Sequence, residues 1–122
     1  MADVLKFYKE GYNCAESVVK AFNEDNGCEI PISLASPFGA GMSSGATCGA
    51  ITGAIIALGA AKGRANSKEK NESRIYAKAM MGKLKEKYGT FECVELKSKG
   101  ITCNEIIESS YNILNECLSE DK

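Results

Sequence analysis

The chain has 122 residues and no histidine. That absence removes Ser-His and Cys-His catalysis, every His-containing zinc site and the usual proton shuttle near neutral pH. Proline is scarce, at two residues; with 44% hydrophobic and 25% charged residues, the composition is that of a globular protein, not a disordered one. No charge of one sign dominates. The formal net charge is -1 and the basic residues form no block, so nothing points to nucleic acid or an anionic membrane surface as partner. The longest uncharged run begins at Ile30 and includes a polar Gly/Ser loop, and its apolar part is too short and glycine-rich to span a bilayer. The opening MADVLKFYKE has none of the parts of a signal peptide. These features predict one domain over residues 1–122, cytoplasmic and without direct membrane insertion.

Against these absences stand six cysteines: Cys14, Cys28, Cys48, Cys93, Cys103 and Cys117. In a reducing compartment they suit metal binding, redox chemistry or burial better than three disulfides. There is no CxxC, and the gaps are long and irregular, unlike a zinc ribbon or a ferredoxin run.

The stretch 38–63, FGAGMSSGATCGAITGAIIALGAAKG, is the centre of the chain. Its Gly/Ser-rich start reads as a loop, Thr47 as an N-cap, and 48–61 as a buried helix. A cysteine in a first turn has its sulfur near the positive end of the helix dipole, which favours the nucleophilic, metal-binding thiolate. Cys48 is therefore the expected reactive centre. Gly49 and Gly53, one turn apart, form a small-residue face open to another helix, a cofactor or a second copy of the chain. A phosphate-binding reading of the loop fails, because no strand precedes it and no Gly-Lys-Ser/Thr follows.

Helical periodicity predicts an all-α bundle of about five helices around this glycine-rich one. Residues 3–23 read as one amphipathic helix or two short ones, with Asn13 and Glu16 as a capping-box pair ahead of Cys14. A connection with a short turn after Pro31 follows. Ser67 reads as the cap of a helix to Tyr88, with Ile75, Tyr76, Ala79, Met80, Leu84 and Tyr88 as its apolar stripe. Thr90 reads as the cap of a short helix containing Cys93. Thr102 and Glu105 read as a second capping box, with Cys103 at the first position of the last helix. Ile106, Ile107, Ser110, Ile113, Leu114, Cys117 and Leu118 share one face of that helix. Cys14, Cys48, Cys93 and Cys103 thus stand at helix starts, where free N–H groups and dipoles favour a sulfur anion. Cys117 reads as core and Cys28 as incidental. Glu92 and Glu95 beside Cys93 oppose ionisation there.

The segments GYNCAESV (11–18), FGAGM-x4-TCGAITGAIIALG (38–59), FECVEL (91–96) and TCNEIIESSYNIL (102–114) resemble the C-GCAxxG-C-C family, described as redox-active by inference from its cysteines. The four signature cysteines match Cys14, Cys48, Cys93 and Cys103, and the CGAxxG element matches residues 48–53. The chain departs from the pattern by a short segment between Cys93 and Cys103 and by the extra Cys28 and Cys117. The resemblance implies thiol redox chemistry with an unidentified redox partner and a functional link to a transporter, since the family's genes often lie beside transporter genes. Three readings stand at this point. In the first, Cys48 attacks a disulfide and Cys14, Cys93 or Cys103 resolves the product. In the second, the four cysteines hold Zn²⁺, another thiophilic metal or an iron–sulfur cluster. In the third, they are buried in a helical interaction module.

Overall fold

The computed structural model describes residues 3–119; both ends of the expected 1–122 domain lie outside the described residues. Among them the chain is all-α, with helices α1 (Val4–Lys9), α2 (Cys14–Asn26), α3 (Gly49–Lys62), α4 (Ser73–Tyr88), α5 (Cys93–Ser98) and α6 (Cys103–Ser119). Two short 3₁₀ turns, Ile32–Leu34 and Ser36–Phe38, occupy the connection after Pro31. No described helix is long and apolar enough to cross a membrane.

The N-terminal periodicity resolves into two helices. Asn13 caps the second: its Oδ1 accepts the Glu16 N–H at 2.8 Å and the Glu16 carboxylate accepts the Asn13 N–H at 2.9 Å. This box is tied to the following connection, because Asn13 Nδ2 donates to the Ser36 carbonyl and the Ser36 hydroxyl donates to Glu16. From that start α2 buries Ala15, Val18, Val19 and Phe22.

Helix α3 carries no charge until Lys62 and lies at the centre, with Ala50, Ile51, Ala54 and Ala57 fully buried. Helix α2 crosses it at Gly53, where an added Cβ would sit 2.7 Å from the Ala15 carbonyl oxygen. The small-residue face is therefore filled by α2. Helix α6 packs on α3 through an apolar stripe that includes Ile107, Leu114 and the buried Cys117. Helix α4 runs antiparallel to α6, with Lys83 beside Glu116, Lys87 Nζ donating to Ser109 and the Tyr88 hydroxyl donating to Glu105. Tyr111 of α6 is buried, with its hydroxyl on Asp25 of α2; burial first, then that carboxylate, push its pKa upward.

Several expected boundaries shift. Helix α4 starts at Ser73, not Ser67. The residues before it form a turn in which Arg64 donates to the carbonyls of Ser67 and Glu69 and the Glu69 carboxylate accepts the Ala65 N–H. Ile75 is 61% exposed and Ala79 is exposed as well, so the buried ridge of α4 is Met80, Leu84 and Tyr88 at four-residue spacing. Thr47 does not cap α3; Cys48 occupies that position, and Thr47 forms an isolated antiparallel bridge with Glu92.

Candidate functional site, a cavity lined by four cysteines

Each of the four matched cysteines begins a helix. Cys14, Cys93 and Cys103 are the first residues of α2, α5 and α6, and Cys48 is the N-cap of α3. Local chemistry sets each start. Asn13 caps α2 as described. Thr102 Oγ1 accepts the Glu105 N–H at 3.1 Å, but the Glu105 side chain turns to Tyr88 and leaves the second capping box half made. Thr90 Oγ1 accepts the Glu92 N–H at 3.1 Å and bonds the Glu95 carboxylate, while Glu92 holds the cap position ahead of Cys93.

The four helix starts meet. Their cysteines line a single cavity of about 220 Å³, together with Tyr8, Asn13, Ala40, Gly49, Lys97 and Ile106. Long-range backbone contacts bring them there. The Cys48 N–H donates to the Phe91 carbonyl at 2.8 Å and the Cys93 N–H to the Ala46 carbonyl at 2.7 Å, a two-bond clasp around the Thr47–Glu92 bridge. Gly49 lets α2 close on α3, since a Cβ there would sit 2.4 Å from Cys14 Sγ and 2.8 Å from the Phe38 carbonyl oxygen.

The loop before Cys48 is wound left-handed. Ala40, Met42 and Ser43 have φ of 54°, 59° and 61°, and Gly41 between them has 65°. Non-glycine residues pay roughly 1–2 kcal/mol each for that region, so the surrounding contacts must hold the loop. They do so through the Ala46 N–H on the Gly41 carbonyl at 2.9 Å and through Cys93, whose Cβ would lie 2.8 Å from any Cβ added at Gly41.

Electrostatics separates Cys48 from the expected thiolate. Its residue is only 4% exposed, and burial pushes its thiol up from 9.0 to about 11. The amides of Ala50 and Ile51 pull the other way, while Cys14 and Cys93 add to the rise. No cap hydrogen bond forms from its side chain. Desolvation outweighs the helix terminus here, so the reduced Cys48 is a protonated thiol at neutral pH. Cys14, Cys93 and Cys103 are half-buried. The Cys103 sulfur beside the Tyr8 hydroxyl first, then burial, push the phenol up to about 12, and Cys14 adds to the rise.

Tyr8 and Lys97 are cavity residues that sequence reasoning left without a role. Lys97 carried a usable signal, lying four residues after Cys93 on one helix face. Tyr8 carried none beyond helical periodicity. Gly49 lines the cavity, whereas Gly53 lies outside it against α2. Cys28 lies on the far side, in an open apolar groove with Leu34 and Ile56. None of the six cysteines is in a disulfide, and among the described residues no group of three or more Cys, Asp or Glu is placed to hold a metal ion.

No curated protein and no solved structure matches the chain. A family model does, over residues 12–117, a span that contains all four cavity cysteines, and its description is "Putative redox-active protein (C_GCAxxG_C_C)". The chain belongs to the C_GCAxxG_C_C family.

Proposed function

We propose that this chain is a thiol redox protein whose reacting groups are Cys14, Cys48, Cys93 and Cys103. One observation carries the reading: four cysteines far apart in sequence line a single small cavity. Two of them exchange with a substrate disulfide. A half-buried thiolate attacks one substrate sulfur, the S–S bond breaks, and the first substrate thiolate leaves. A second cysteine then attacks the mixed disulfide and releases the other half as a thiolate. The protein loses two electrons and forms one disulfide; the two thiol protons pass to the two substrate thiolates. Cys48 is assigned the second step because it is buried and meets a disulfide only once the substrate is tethered in the cavity; its proton passes to the substrate thiolate released in the first step, which frees its sulfur to attack. Cys14, Cys93 and Cys103 are the candidates for first attack.

The same convergence supports a second reading, a four-sulfur site for Zn²⁺ or an iron–sulfur cluster. Sulfur donors without histidine suit those groups, and bound there they would supply Lewis-acid, structural or electron-carrying chemistry. With the sulfurs as placed, no such ligand set is assembled, so binding would require them to draw inward.

Mass spectrometry on chain purified without oxygen or chelators separates the two. The redox reading expects a bare chain that loses two hydrogens on mild oxidation and regains them with reductant, with a disulfide mapped between cavity cysteines. Cys→Ser at the resolving position should stop the reaction at the mixed disulfide, whereas Cys→Ser at the attacking position should prevent the mixed disulfide from forming. Extra mass matching a metal or cluster, lost in Cys48→Ser, would replace the redox reading with the second. A chain whose four thiols neither oxidise reversibly nor hold metal would leave them as packing residues.

A further inference from the structure

The lining of the thiol cavity is one-sided in charge. Among the described residues Lys97 is its only charged side chain, and no described carboxylate lines it. Lys97 is exposed and shares a face of α5 with Cys93. Among the described residues no carboxylate pairs with its ammonium. The acidic residues nearest the cysteines in sequence keep their charge, but none lines the cavity and each carboxylate is bonded to another group. Glu16 serves Asn13 and Ser36, Glu92 faces Thr47, Glu95 bonds Thr90 and Glu105 takes the Tyr88 hydroxyl. The long helices α2, α3 and α6 also begin at the cavity; Glu16 and Glu105 offset the dipoles of α2 and α6, while α3 has no acidic residue in its first turn and adds to the positive potential. Size limits the occupant further. At about 220 Å³ the cavity lies below the roughly 300–1,000 Å³ of pockets for drug-sized ligands, and it has room for one arm of a small disulfide.

We infer that the cavity takes small disulfides that bear carboxylates, with a carboxylate held by the Lys97 ammonium and the disulfide facing the cysteines. This rests on the thiol redox reading and names its substrate class. The reaction consumes one such disulfide, yields two carboxylate-bearing thiols, and leaves one disulfide in the protein.

Three disulfides of similar size and different charge test the inference: 3,3′-dithiodipropionate, bis(2-hydroxyethyl) disulfide and cystamine. Each is mixed at low salt with the fully reduced chain, and the oxidation rate is read by acid quench and mass spectrometry. Each rate is divided by that of a neutral small thiol with the same disulfide, which removes intrinsic reactivity. The dianion should react at least about threefold faster than the neutral compound, and the neutral compound faster than the dication. Lys97→Gln should bring the three rates together, and added salt should compress them in the wild type. Equal rates in the wild type, or an order that survives Lys97→Gln, would overturn the charge inference and leave the thiol chemistry standing. Failure of all three compounds to oxidise the cysteines would overturn both.

Discussion

Cys48 is pulled in two directions by its position. The start of α3 favours its anion, and the core around it favours the neutral thiol; the core wins, with the thiol pushed up from 9.0 to about 11. The dipole was legible in the sequence, because capping is local. Burial of the helix was legible as well, from its apolar run, but closure over the sulfur in its first turn was not, because that depends on α2 and on residues 91–93. A pH dependence follows. The folded chain holds this proton more tightly than the unfolded chain, so the stabilisation is complete below pH 9 and is lost as pH rises toward 11. Two units correspond to about 2–3 kcal/mol for a group this buried. Denaturant unfolding of the reduced protein should therefore show stability falling between pH 9 and 11, and Cys48→Ala should flatten the fall by about that amount. An unchanged slope in the variant would mean that the thiol is no more desolvated than in the unfolded chain. Tyr8, raised from 10.0 to about 12, contributes in the same direction at higher pH and remains present in both proteins.

Among the elements, the left-handed loop is the one that local sequence rules describe least. Its glycines predicted a turn, but nothing in a run of Ala, Met and Ser announces positive φ at Ala40, Met42 and Ser43. Contacts made far along the chain impose it, chiefly the clasp between residues 46–48 and 91–93. Met42 offers a clean measure of the strain, since its side chain is 44% exposed and glycine there loses little packing. Met42→Gly should stabilise the protein by about 1 kcal/mol, the relief of the left-handed backbone less the added flexibility of the unfolded chain. Gly41→Ala should do the reverse. Its Cβ would meet the Ala46 carbonyl oxygen at 2.6 Å and Cys93 Cβ at 2.8 Å, neither the free end of a flexible side chain. A loss of about 2–4 kcal/mol is expected from strain plus overpacking. Equilibrium unfolding of both variants checks the pair, and a destabilised Met42→Gly would show that the loop is not strained at that residue. The misplaced start of α4 has a related cause. Ser67 has cap chemistry, but Arg64 and Glu69 bind the backbone of residues 65–69 and give that segment a turn instead of a helix.

For the molecule as a whole, helix class and the cysteine positions were legible because capping residues, periodicity and stop signals act over a few residues. The convergence of Cys14, Cys48, Cys93 and Cys103 was not, since it follows from helix directions that only packing decides. Helices α2, α3 and α6 each bury a stripe against the others, and the close approach at Gly53 sets α2 on α3. That placement couples redox state to global stability. A disulfide lowers the entropy of the unfolded chain according to the loop it closes. A Cys93–Cys103 bond would close a short loop and stabilise the fold by about 2.7 kcal/mol. A Cys48–Cys93 or Cys14–Cys103 bond would close a much longer one and stabilise it by about 4–5 kcal/mol. The oxidised protein should therefore resist denaturant better than the reduced protein, with no change in helix content. The size of the gain should identify the class of pair before any peptide mapping, and mapping of the bond then provides an independent check. A gain near 3 kcal/mol would place the exchange at the starts of α5 and α6. A gain of about 4 kcal/mol or more would place it across the helices that only tertiary packing brings together, with Cys14–Cys48 at the low end. Oxidation that destabilised the chain would mean that the cavity must distort to bring two sulfurs within bonding distance, which would count against reversible disulfide chemistry as its working cycle.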